Sequence, residues 1–159
     1  SGWFKKIPEN NVALLKLKSP LTFNKNVQPI DLPKSGAKHT GIGFLTGWGQ
    51  LANGKDAQVL QAVKVPFVDA VSCTEVIKSV HKKEVIHENE ICTGPIGEDI
   101  SACDGDIGDP VVQFQGNGSP QLVGIVSWFD TPCAEKGLPT VYAKISSYID
   151  WINEKILSL

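Results

Sequence analysis

Apolar and polar positions along the chain fall into short runs, most of them alternating, with turn residues between them. Six runs read as β-strands: VALLKL (12–17), GFLTGWG (43–49), VLQAVKVPFV (59–68), DPVVQF (109–114), LVGIVSW (122–128) and TVYAKI (140–145). Their spacing predicts an antiparallel sandwich or barrel. QGNGSP (115–120) reads as a hairpin loop between two of the strands. Inside it, Asn117-Gly118-Ser119 is a formal glycosylation sequon, but Pro120 follows, which argues against its use and favours the plain turn. VALLKL reads as a buried strand although little sequence precedes it. It is expected to pair with later strands or with neighbours on another chain.

Two stretches carry helical periodicity. Residues 69–83 place Val71, Val76, Ile77 and Val80 as the apolar set. Residues 146–159 open on a candidate serine N-cap, and Ile149, Ile152 and Ile156 share one face with Trp151 beside them. The charged stretch HKKEVIHENE (81–90) reads as a solvated loop. There is no internal repeat and no linker-like tract.

Composition narrows the classes without choosing among them. The 159 residues fit one domain, and the net charge of -2 gives no footprint for nucleic acid or an anionic membrane surface. No apolar run is long enough to span a bilayer, and the opening SGWFKKIPEN is not a signal peptide. The chain is therefore expected to be processed, truncated or partial. Four cysteines, Cys73, Cys92, Cys103 and Cys133, include no C-x-x-C pair. That disfavours zinc, and neither a metal nor a cofactor is expected. Two structural disulfides in a secreted protein are the simplest reading, with three pairings open on count alone.

Six ordered blocks carry a family resemblance. NNVALLKL (10–17) resembles N-D-I-A-L-L-K-L, VQPIDLP (27–33) resembles V-x-P-I-C-L-P, and LTGWGQ (45–50) resembles the I-S-G-W-G turn. NEICTG (89–94) resembles N-M-L-C-A-G, and CDGDIGDPVV (103–112) resembles C-x-G-D-S-G-G-P-L-V. GIVSWFDTPC continuing to YIDWI (124–152) resembles the family's last strands and C-terminal helix. The sequence is similar to chymotrypsin/trypsin-like serine proteases. The resemblance implies an all-β fold of two antiparallel barrels with a C-terminal helix, the N-terminal part of the first barrel being absent here. Residues 1–26 would end the first barrel, 27–40 link the barrels, 41–145 form the second barrel and 146–159 the helix. The A-A-H-C segment with the general base is missing, and His39, His81 and His87 read as surface residues. A second chain is the expected carrier of the missing part. The implied bridges are Cys73–Cys92 and Cys103–Cys133. Gly43 and Gln113 stand where a third would be, and Asp31 replaces another cysteine.

The resemblance also implies a degraded site. Ile107 occupies the nucleophile's place, and its side chain has no heteroatom to attack a carbonyl. Asn11 stands where the carboxylate that orients the base would be. The oxyanion-hole donors would be the N–H groups of Gly105 and Ile107. Asp109 replaces a glycine beside them, where a carboxylate opposes developing negative charge and fits a positive φ less readily than glycine. Ser101 would form an uncharged pocket floor, with Phe129 and Thr140 in place of two wall glycines, so the specificity pocket is expected to be blocked. Asp106 is retained and is expected to pair with an ammonium freed by activation cleavage.

These departures imply a proteolytically inactive homologue that is not an enzyme. The pattern resembles arthropod inactive homologues, such as the inactivated protease paralogues of parasitic mites. Its expected role is extracellular protein binding, as decoy, cofactor or inhibitor of a protease or complement-like cascade, with immune modulation among the roles. A receptor- or ligand-binding growth-factor-like or carrier-like homologue and a residual hydrolase are the alternatives.

Overall fold

The computed structural model describes residues 7–94, 100–133 and 137–158. The N-terminal hexapeptide, the 134–136 part of the last matched block and the end of the expected C-terminal helix lie outside them. Six strands close into one antiparallel barrel: β1 (Ile42–Gly47), β2 (Gln61–Val68), β3 (Glu90–Thr93), β4 (Pro110–Phe114), β5 (Pro120–Trp128) and β6 (Thr140–Lys144). The order round the barrel is β1-β2-β3-β6-β5-β4, and β4 returns to β1. Most strand boundaries fall within two residues of the alternating runs. β3 is the exception: four residues, two of them polar, are too few to show a period.

Alternation explains which side chains fill the barrel. Leu45, Val65, Ile91, Val111, Val123, Val126 and Tyr142 point inward with Ala102 and form one buried cluster. The Tyr142 hydroxyl is as buried as the aliphatic groups, and the Thr93 Oγ1, 2.8 Å away, satisfies it. Burial raises the Tyr142 pKa well above the ordinary tyrosine range. Helix α1 (Ala70–Val80) packs outside the barrel through a second cluster, Cys73, Ile77, Cys92, Trp128 and Val141. The buried pair on α1 is Cys73 and Ile77, an i, i+4 spacing. Val71 and Val80, expected on the apolar face, are exposed, because the face is set by the bridge from Cys73 to Cys92. Asp69 caps α1 by accepting from the Val71 and Ser72 N–H groups.

The run at 12–17 pairs with no later strand among the described residues, and residues 11–17 have no strand geometry. Leu15 and Leu17 are 89% and 58% exposed. An isolated extended segment has no ladder to satisfy its backbone groups, so the pattern alone cannot make it a strand. The chain then crosses to the barrel, where Leu122 N–H donates to Asp31 O at 2.9 Å. At the far end, a short 3-10 turn (Ile145–Ser147) leads into α2 (Ile149–Ser158). Neither serine caps α2: Ser146 Oγ donates to Ala37 O and Ser147 Oγ to Glu88 O. Ile152 docks and Ile156 stays exposed, so only the first turns of α2 rest on the body.

The structure holds the disulfides Cys73–Cys92 and Cys103–Cys133. Where a third bridge would join Gly43 to Gln113, the Gln113 Nε2 donates to Thr40 O at 2.7 Å and to Ile42 O at 3.4 Å. An amide clip holds the entry of β1 against β4. Only two residue pairs, Phe44–Val112 and Leu45–Val111, close the barrel at this seam.

Candidate functional site

The loop from β3 reaches β4 through Cys103–Asp109, a tight turn stitched to the segment after β1. The Asp106 side chain folds back on its own turn, with Oδ2 accepting from Cys103 N–H at 2.9 Å and Oδ1 from Gly49 N–H at 2.8 Å. Gln50 N–H donates to Asp104 O at 2.8 Å. Gly105 and Gly108 take φ of 98° and 96°, which glycine adopts without Cβ strain. Ile107 stands at the apex, 46% exposed, and is no part of either buried cluster. The N–H groups of Gly105 and Ile107 donate to no acceptor among the described residues. A pair of free donors therefore flanks an aliphatic side chain.

Asp109 behaves differently from the expectation. Its φ is not positive, so the turn itself does not demand glycine at this position. Its carboxylate lies beside that of Asp106, where a Cβ on Gly47 would collide with both acids and one on Gly49 with Asp106. The Trp48 N–H donates to it, while Oδ2 is buried with no partner among the described residues. Desolvation and the neighbouring Asp106 push the Asp109 carboxyl up to about 6. An acid here is thus a second carboxylate for the Asp106 niche.

Asn11 and Asn10 have separate jobs. Asn11 Nδ2 points at Ser127, 3.4 Å from its carbonyl and 3.3 Å from its Oγ. Ser127 sits where the β5–β6 register shifts, between Val126 and Trp128, and that irregularity re-aims it. Asn10, at φ 50°, accepts through Oδ1 from Asn89 Nδ2 at 2.8 Å and from the Tyr148 hydroxyl at 3.2 Å. Asn11 is therefore the residue that shares a site with β5. As an amide it offers Ser127 a donor, where a carboxylate could only accept.

Near the same end of β5, Phe129 directly follows the strand and Thr140 opens β6. Thr140 is buried, and its Oγ1 accepts from Ala102 N–H at 2.9 Å. That bond ties the 101–102 wall directly to β6. Ser101 Oγ donates to the adjacent Ala102 O at 2.8 Å. Phe129 is half-buried and packs, with Ile100, on the barrel core.

Two features escaped the linear pattern. His81, expected on the surface, closes α1 and sets its Nε2 at 2.9 Å from both Asp130 oxygens. Its ring meets Trp128 edge-on at 6.5 Å. His39 is half-buried beside Phe67, and burial lowers its pKa. Of the three histidines only His87 is exposed. The 81–90 stretch is likewise not purely solvated: Ile86 packs on the second cluster and Glu90 Oε1 accepts from Trp128 Nε1 at 3.1 Å. A hydrogen-bond partner 49 residues away leaves no local signal. Among the described residues no group of three His, Cys, Asp or Glu side chains could hold a metal ion. No described helix is long and apolar enough to cross a membrane.

Comparison with known proteins extends the geometry. The family model described as Trypsin matches residues 2–152. The chain is 40% identical over 146 residues to Trypsin-1 of Astacus astacus, covering 91% of this chain and 59% of that protein. It is 39% identical over 149 residues to Trypsin II-P29 of Gallus gallus (92% and 56% coverage). It is 37% identical over 159 residues to Vitamin K-dependent protein C of Mus musculus (93% and 33% coverage). The chain spans less than two thirds of the length of each of these relatives.

Proposed function

Since the chain belongs to the trypsin family of chymotrypsin-like serine proteases, we propose that it is a catalytically inactive member that works by binding proteins outside the cell. The observation that carries this reading is Ile107, exposed at the apex of a turn built by two positive-φ glycines and a folded-back Asp106. In this family that apex is the nucleophile's place, and an alkyl group there can form no acyl-enzyme. Asn11 at the carboxylate's place supports the same reading, since an amide cannot stabilise an imidazolium. The specificity region agrees: Phe129 and Thr140 occupy the place of open walls, and the Thr140–Ala102 hydrogen bond ties one wall shut. The two disulfides and the trypsin relatives suggest a secreted protein.

The role that fits is decoy, cofactor or inhibitor of a proteolytic or immune cascade. The working domain includes a second segment supplying the first barrel. Exposed Leu15, Leu17, Leu21 and Phe23 are the surface that such a segment covers. Its free amino terminus would pair with Asp106, whose carboxylate accepts from the Cys103 and Gly49 N–H groups and lies against the Asp109 carboxyl. The deciding experiment exposes the secreted protein, with any chain that co-purifies, to a fluorophosphonate probe and then adds it to a protease cascade in plasma or haemolymph. No label on this chain and an altered cascade rate are the expected results. Covalent labelling overturns inactivity, and an unchanged rate at saturating protein overturns the cascade role.

A further inference from the structure

The hairpin between β4 and β5 carries chemistry that the protease-like site does not use. Its loop is narrow: Gln115 N–H donates to Ser119 O at 2.9 Å and Gly118 N–H to Gln115 O at 2.8 Å. Gly118, at φ 83°, lets the chain reverse. Asn117 is exposed at the tip, and its Oδ1 accepts from Ser119 N–H at 3.0 Å and from Ser119 Oγ at 2.8 Å. The Asn117 Nδ2 has no partner among the described residues. The turn thus holds the serine hydroxyl on the amide oxygen and leaves the nitrogen to solvent. Three residues earlier, Phe114 ends β4 at 53% exposure, its ring edge against Phe44 at 5.2 Å. Phe44 meets the ring on one side only, and the rest of the Phe114 ring is open to solvent at the base of the loop.

We propose that Asn117 is an N-glycosylation site and that the first sugar packs its C–H face on Phe114. The sequon supplies the recognition residues, and two disulfides fit passage through an oxidising secretory compartment. The co-substrate is a polyprenyl-diphosphate-linked oligosaccharide. Asn117 Nδ2 attacks the anomeric carbon and a C–N bond forms. The C–O bond to the diphosphate breaks, the diphosphate leaves with the electron pair, and an Nδ2 proton passes to a base of the transferase. Pro120 opens β5 opposite Phe114 and restrains Ser119 towards extended backbone, so it slows transfer. Turn and modification are compatible, because the turn is what presents the acceptor.

The test is secretion of the whole chain from a eukaryotic host, read by intact mass. Wild type is expected to carry a glycan that peptide N-glycosidase removes, converting Asn117 to aspartate. Both Asn117→Gln and Ser119→Ala should run at the unmodified mass, and Pro120→Ala should raise the occupied fraction. Wild type at the unmodified mass, or a glycan persisting in Asn117→Gln, overturns the site. For the packing, the occupied form should melt about 2–4 °C above the empty form, and Phe114→Ala should remove more than half of that difference. An equal difference in both backgrounds refutes sugar packing on Phe114.

Discussion

Replacing Asp109 with asparagine should stabilise the chain, and only where the acid would be ionised. Asp109 sits beside Asp106 with one oxygen buried and unpartnered, and its carboxyl is pushed from 3.8 up to about 6. In the unfolded chain it returns to the ordinary aspartate range. The folded state holds the proton more tightly, so the cost is absent below the unfolded value. It grows as pH rises through the gap and is complete above about pH 6. At about 1.36 kcal/mol per pH unit the gap is worth about 3 kcal/mol. The group is only half-buried and water screens it, so about 1–2 kcal/mol is the working figure. An asparagine amide keeps the shape, accepts from Trp48 N–H and donates to Asp106. Urea unfolding with disulfides intact, at several pH values from about 4 to 8, measures the effect. The wild type should lose stability across that range relative to Asp109→Asn, and the variant should be the more stable at neutral pH. Parallel pH profiles, or a variant weaker at neutral pH, would refute the account of two carboxylates sharing one niche.

Ile107→Ser alone should restore neither fluorophosphonate labelling nor peptidase activity, because Asn11, Phe129 and Thr140 remain; measurable turnover would overturn the blocked-pocket argument. Thr140→Val keeps the volume but leaves the buried Ala102 N–H without its 2.9 Å acceptor, so it should cost about 1–3 kcal/mol in chemical unfolding. A stability equal to wild type would mean the wall is not held by that bond. Removing Cys103 and Cys133 together opens a bridge with sequence separation 30, and a loss of about 2–5 kcal/mol is expected. Thermal unfolding of the double serine variant checks it, and no loss would mean that Asp106 alone organises the turn.

The barrel was legible because alternation, turns and burial agree over β1, β2, β4, β5 and β6. What the sequence left open shares a cause. VALLKL has the composition of a strand, but pairing is a property of two segments, and no described segment faces it. Val71 and Val80 have the right spacing for a buried face, yet the cysteine on α1 decides which face turns inward. At the site, Ile107 and Asn11 could be singled out because each stands at a fixed place within a motif. The niche occupied by Asp109, the His81–Asp130 contact and the Gln113 clip depend on approaches across tens of residues, which no local window contains.

The amide clip at the β1–β4 seam has a kinetic consequence. A covalent bridge there would have kept the barrel circular during every local fluctuation. Two residue pairs and a glutamine cannot, so the ring can unzip into a curved open sheet without breaking either disulfide. Amide hydrogens that bridge β1 and β4 should therefore trade with solvent deuterium sooner than those at the β5–β6 pairing. Fast and slow strand protons would then lie at different seams of a single barrel.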